Sequence, residues 1–165
     1  MKKLLFIISI FIFLNLPVQA QEVLQGSVSL VDRIPNELFG SWKVVSVQVF
    51  CSNPLLNAPF SVDIWNLSRT DDVITLTNPE SGATASVKID EVVENTVKFT
   101  KTSYSDTEYI SESPKITING ENFVGTDTIV IKNYRYGKHV STDTWLYKIK
   151  AKKLSGASTQ QILKR

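Results

Sequence analysis

Trp145-Leu146-Tyr147-Lys148-Ile149-Lys150-Ala151-Lys152 alternates apolar side chains with a row that is mostly lysine. Successive side chains of a strand point to opposite faces, so this stretch reads as a strand. Trp145, Tyr147, Ile149 and Ala151 take a buried face, and Leu146, Lys148, Lys150 and Lys152 a wet one. The same period recurs upstream, where Ala83, Ala85, Val87 and Ile89 alternate with Thr84, Ser86, Lys88 and Asp90. From residue 21 onward no window sustains a 3.6-residue apolar period, and Thr, Val, Ile and Ser dominate. Eight strands are expected, at 42–50, 61–69, 72–78, 83–90, 95–103, 107–118, 122–135 and 141–152.

Turn signals separate these runs. A two-residue loop at Asn119-Gly120 sets Ile116 opposite Phe123, and a three-residue loop at Gly137-Lys138-His139 sets Ile131 opposite Trp145 and Ile129 opposite Tyr147. A four-residue loop at 78–81 sets Leu76 opposite Ala83 and Ile74 opposite Ala85. Each turn places apolar residues across from apolar residues, as a shared buried face requires. Sequential strands on short loops form an antiparallel up-and-down meander, and closing it into an all-β, eight-stranded barrel removes the exposed edges. An open sandwich is the main rival. A membrane-spanning barrel needs a continuously apolar outer face, and the outward Thr, Ser, Lys and Asp positions of the fourth and eighth strands argue against one.

Residues 1–20 have the three-part layout of a secretory signal: the basic start Met1-Lys2-Lys3, the apolar run Leu4–Leu14, and a polar stretch ending in Val18-Gln19-Ala20. The run is about 11 residues, short of the roughly 20 that span a bilayer as a helix. Cleavage after Ala20 is expected, with a periplasmic or secreted destination. The remaining segments read as an N-terminal extension (21–34), a barrel domain (35–154) and a small, polar, mobile tail (155–165).

Without residues 1–20 the chain carries 16 basic and 16 acidic residues. They are unevenly placed, with nine basic residues and one acid from Lys132 onward, and seven basic residues and fifteen acids across 21–131. Such a division marks either an anionic partner or acidic and basic strands lying side by side in one sheet. The single cysteine, Cys51, excludes a disulfide scaffold and a cysteine zinc site.

Pro35-Asn36-Glu37-Leu38-Phe39-Gly40-Ser41-Trp42 precedes and opens the first strand. Its Leu-x-Gly-x-Trp core resembles the opening of lipocalin-like (calycin) barrels. The resemblance implies a turn of helix leading into a Gly-x-Trp whose indole plugs one end of the barrel, with a small apolar ligand above it. It also implies a basic residue late in the chain that packs over Trp42. Arg135, in phase with Ile129 and Ile131, is the candidate, because Lys148, Lys150 and Lys152 lie on the face opposite Trp145. Thr-Asp pairs of the kind seen in lipocalins occur at Thr126-Asp127 and Thr142-Asp143. If Trp42 points inward with Val44, Ser46, Gln48 and Phe50, then Val45, Val47 and Val49 point outward and need cover.

Catalytic patterns are sparse, and no enzyme, cofactor or metal is expected. His139, the only histidine, sits in a turn, and no Gly-x-Ser-x-Gly elbow accompanies it. Asp71-Asp72 and Asp90-Glu91 are acids at strand ends, a place where solvated pairs are common. Asp127 shares the inward phase of Phe123, Ile129 and Ile131, so it is a buried carboxylate that needs a partner or a raised pKa. The inward aromatics are either plain core or the wall of a cavity, since an eight-stranded barrel can be filled or hold one small ligand. Ser46, Gln48 and Asn133 on inward phases tilt the reading toward a cavity, lined by Trp42, Phe99, Phe123, Asp127, Trp145 and Tyr147. The expected function is binding of a small apolar or amphipathic ligand. The alternative is an adaptor or inhibitor that meets an envelope protein or anionic surface through Lys148, Lys150 and Lys152, or through the outward valines.

Overall fold

A computed structural model of the chain describes residues 29–154. The expected signal helix (1–20), most of the extension and the tail 155–165 lie outside the described residues. Eight antiparallel strands follow one another around a closed ring: β1 (Gly40–Cys51), β2 (Phe60–Thr70), β3 (Val73–Thr77), β4 (Thr84–Val93), β5 (Thr96–Tyr104), β6 (Glu108–Asn119), β7 (Asn122–Arg135) and β8 (Lys138–Lys153). All eight expected strands are present. β1 pairs with β8 from Trp42↔Lys153 to Cys51↔Trp145, so the sheet has no free edge and the open-sandwich alternative falls.

The alternation assigns faces correctly along much of the chain. Val87 and Ile89 on β4, and Trp145, Tyr147, Ile149 and Ala151 on β8, are buried, while Lys148, Lys150 and Lys152 are exposed. The expected registers, however, are displaced by two residues at all three turns. Ile118, not Ile116, opposes Phe123; Ile129 opposes Trp145; Leu76 opposes Ala85. The loops explain the slips. The β6–β7 loop is Gly120-Glu121, with Gly120 at φ 57 in the first central position of a II′-type hairpin. The β7–β8 loop is Tyr136-Gly137, both at positive φ, as a I′-type turn requires. The β3–β4 loop shifts to 79–82, where the Asn78 side-chain oxygen accepts from the Glu80 and Ser81 N–H groups. A shift of two keeps every side chain on its face.

Three bulges reset the phase elsewhere. The bulge between Gln48 and Phe50 turns Phe50 outward and Cys51 inward against the core, opposite to their expected faces. A second bulge, between Ile89 and Glu91, brings Val92 inward, and a third lies between Asn133 and Tyr134.

One end of the ring is solid. Leu38, Trp42, Val44, Leu67, Val97, Phe99, Ile116 and Phe123 are essentially inaccessible there. Trp42 packs on Phe123 with ring centroids 4.9 Å apart, and Trp65 bridges Phe123 and Phe99 at 6.1 and 6.4 Å. Two short 3-10 turns, Leu30–Arg33 and Asn36–Leu38, precede β1 at this end. Residues 29–34 are anchored to the ring. Ile34 is buried, Arg33 donates to the Val92 carbonyl, and Arg69 donates to the Val31 carbonyl and pairs with Asp32 at 2.6 Å.

Gly125 marks the tightest point of the wall. A Cβ there would lie 2.1 Å from the Lys115 carbonyl oxygen and 2.8 Å from the Ile116 Cα, both backbone atoms that cannot rotate away. Gly125→Ala is therefore expected to destabilise the ring by about 1–3 kcal/mol, the usual cost of overpacking. Thermal unfolding of the variant measures this, and an unchanged midpoint would show that β6 and β7 are not held this close.

Candidate functional site

The interior divides into a sealed floor and a polar upper half. At the floor, the Trp42 indole N–H donates to the Leu38 carbonyl at 2.7 Å. The Lys153 ammonium stands 5.2 Å from the centre of the Trp42 ring and donates to the Glu37 carbonyl at 2.7 Å. Lys153, not Arg135, is thus the late basic residue over Trp42. Arg135 lies at the opposite end, over the Tyr136 ring. Lys153 shares the phase of Ala151, one residue past the expected end of the last strand. Gly40 leaves room for it, since a Cβ at that position would sit 3.2 Å from Lys153 Cε.

Above the floor the inward positions become charged. Lys101 on β5 pairs with Glu112 on β6 at 2.7 Å, and the two are direct cross-strand neighbours. Asp127 on β7, 5% exposed, lies between Pro114 of β6 and Tyr147 of β8. Its Oδ1 is fully enclosed and has no donor among the described residues. Burial pushes the Asp127 carboxyl up from the usual 3.8 to about 8, helped by the negative charge of Glu112 and opposed by Lys101. Protonated, Asp127 can hydrogen-bond to Glu112, which raises it further, while the Ser113 backbone works the other way. Tyr147 is also raised, by burial first and then by Cys51 and Asp127.

Two recesses at this end are lined by inward-facing residues. The smaller, about 300 Å³, is lined by Asp63, Trp65, Leu76, Asn78, Ala85, Lys101, Ile110 and Glu112, among others. Asn78 donates to Asp63 at 2.6 Å on its β2–β3 side. The larger, about 590 Å³, runs between Ile129, Ile131, Asn133, Asp143, Trp145 and Tyr147 and the β1–β2 loop, Leu55–Ala58. That loop is tied down. The Trp145 indole donates to the Leu56 carbonyl at 3.1 Å, Asn57 accepts from Gln48, and the Cys51 thiol donates to the Asn53 carbonyl.

The six expected site residues therefore separate. Trp42, Phe99 and Phe123 form the floor and line neither recess; Asp127 is buried beside Pro114 and Tyr147 and also lines neither; Trp145 and Tyr147 line the larger one. Lys101 and Glu112 escaped the sequence reading, although the period of two carries Phe99 to Lys101 and Ile116 to Pro114 and Glu112. Following that phase past the polar residues finds them. The other chemical candidates do not converge. His139 bonds Thr142 at 2.8 Å on the exposed rim, Asp143 accepts from Asn133 and Asn53, and Asp90 and Glu91 engage Thr100 and Lys115. No group of three metal-ligating side chains occurs among the described residues.

No protein-family model, curated protein or solved structure matches the chain.

Asp127 imposes a pH dependence. It ionises near roughly 3.9 in an unfolded chain but keeps its proton to about 8 in the ring. Between those values the folded state binds more protons, so this group's contribution to stability is greatest below the unfolded pKa and declines as pH rises toward 8. Asp127→Asn is expected to flatten that decline and to melt higher than the parent at about pH 8. Parallel profiles from about pH 5 to pH 8 would contradict the assignment.

Proposed function

We propose that the chain is an exported, non-enzymatic, lipocalin-like barrel that holds a small apolar or amphipathic molecule in its upper half. The observation that carries this reading is the division of the interior. Aromatic packing completes the floor, whereas in the upper half Trp65 and Leu76 border a recess of about 300 Å³, and Trp145, Tyr147, Ile129 and Ile131 border one of about 590 Å³. Ligand sites combine such apolar walls with a few placed polar groups on this volume scale. Here the polar groups are the Lys101–Glu112 pair and the Asp63–Asn78 hydrogen bond.

The resemblance to lipocalin-like barrels gains support from Lys153 over Trp42, which supplies the late basic residue that the Gly40-Ser41-Trp42 opening implies. Export to the periplasm or beyond rests on the layout of residues 1–20. No helix among the described residues is long and apolar enough to cross a membrane.

Titration of the intrinsic tryptophan fluorescence with fatty acids, lysolipids and apolar dyes tests the proposal. A saturable change with at least one class is expected, since Trp65 and Trp145 line the recesses. Trp145→Ala should weaken that ligand roughly ten- to thirty-fold, as loss of a central aromatic contact does. Ala85→Phe, which fills the smaller recess, should weaken a ligand seated there. The absence of any saturable change across the panel would overturn the reading.

A further inference from the structure

The outer wall of β8, β1 and β2 carries a mixed basic and apolar surface. From the closed end upward, Lys43, Val45, Val47 and Phe50 of β1 stand beside Lys152, Lys150, Lys148 and Leu146 of β8. Val62 and Phe60 extend the valine rows onto β2, while Val124 and Thr126 flank Lys150 and Lys148 on β7. None of these outward positions holds an acid. Val47, Val49, Phe50, Phe60, Val62 and Val124 are each 46–60% exposed, and Leu55, at the tip of the adjoining loop, is 93% exposed.

The charges on this wall are unbalanced. Lys43 and Lys152 are direct cross-strand neighbours, a like-charge arrangement that costs stability. No ion pair among the described residues engages Lys43, Lys148, Lys150 or Lys152. Lys43, Lys150 and Lys152, with Val45 and Val124, surround a shallow depression of about 410 Å³. Three lysines at one depression supply the cationic donors that a phosphate-bearing head group takes.

We propose that this wall docks the protein on a bilayer containing anionic phospholipid. The lysines meet lipid phosphates, and Leu55, Phe60, Phe50 and the valines enter the shallow interfacial layer. A bilayer matches both halves of the surface at once, because it accepts scattered apolar tips beside basic groups and needs no shaped cleft on the convex wall of the ring. Val49, Phe50, Phe60 and Leu55 stand toward the open end, so docking brings the mouth of the larger recess, bordered by Leu55 and Leu56, close to the lipid.

Sedimentation of the chain from Gln21 to Arg165, which retains the whole ring, with lipid vesicles tests this. Binding to phosphatidylcholine vesicles containing about a third phosphatidylglycerol is expected, with binding at least about tenfold weaker to phosphatidylcholine alone. Replacing Lys148, Lys150 and Lys152 by Gln should cost roughly five-fold per lysine, or about a hundred-fold together. The double variant Leu55→Ser, Phe60→Ser should weaken binding while keeping its salt dependence. These positions are exposed, so melting of the variants no lower than that of the parent verifies their fold. Equal binding to both vesicles, binding to neither, or undiminished binding by the lysine variant would overturn the proposal. So would a dimer that buries this wall and abolishes sedimentation.

Discussion

One buried indole holds the two ends of the sheet together. Trp42 lies at the start of β1, donates to the Leu38 carbonyl in the turn before it, packs on Phe123 of β7 and carries Lys153 of β8 above its ring. Full burial of such a side chain removes about 150–250 Å² from water, worth about 4–6 kcal/mol at the usual area coefficient. The contact joins the first strand, the last strand and the preceding turns in one cluster. Ring closure follows from it, since β1 and β8 can pair along their length only if both chain ends meet at this corner.

The upper half obeys different physics. Lys101, Glu112 and Asp127 take inward positions that an aliphatic core would fill, and a buried charge is costly unless paired or neutralised. Here both remedies operate: Lys101 pairs with Glu112, and Asp127 retains its proton. Stability is thereby concentrated at the floor, and the open end is left with volume and polarity to offer. The β1–β2 loop spans these two aspects, bonded inward to Trp145 while presenting Leu55 to the exterior.

Strand number, strand order and much of the inside–outside assignment were legible in the sequence, because a period of two records which face each residue takes. The offset between strands was not. A slide of two residues keeps apolar opposite apolar, so Ile116 against Phe123 looked as good as the actual Ile118 against Phe123. Bulges were equally silent: nothing in Gln48-Val49-Phe50 announces the extra residue that sends Phe50 out and Cys51 in. At the site, Trp145, Tyr147 and the buried Asp127 could be read from phase. Trp42, Phe99 and Phe123 shared that phase yet became floor, since periodicity reports facing and not depth along the ring. Lys153 follows Lys152 with no change of residue type to mark the strand's end, and Lys101 and Glu112 carry charge on an inward phase, where a buried face calls for apolar side chains.

Hydrogen exchange by NMR tests the central claim most directly, because the indole N–H groups of Trp42 and Trp145 report on the two halves separately. The Trp42 N–H is fully enclosed and bonded to Leu38, so it should exchange only through global unfolding, together with the amides of the β1–β8 ladder. The Trp145 N–H, bonded to the β1–β2 loop, should exchange faster through local opening. Equal and rapid exchange at both indoles, or an unprotected β1–β8 ladder, would contradict a ring sealed at one end and open at the other.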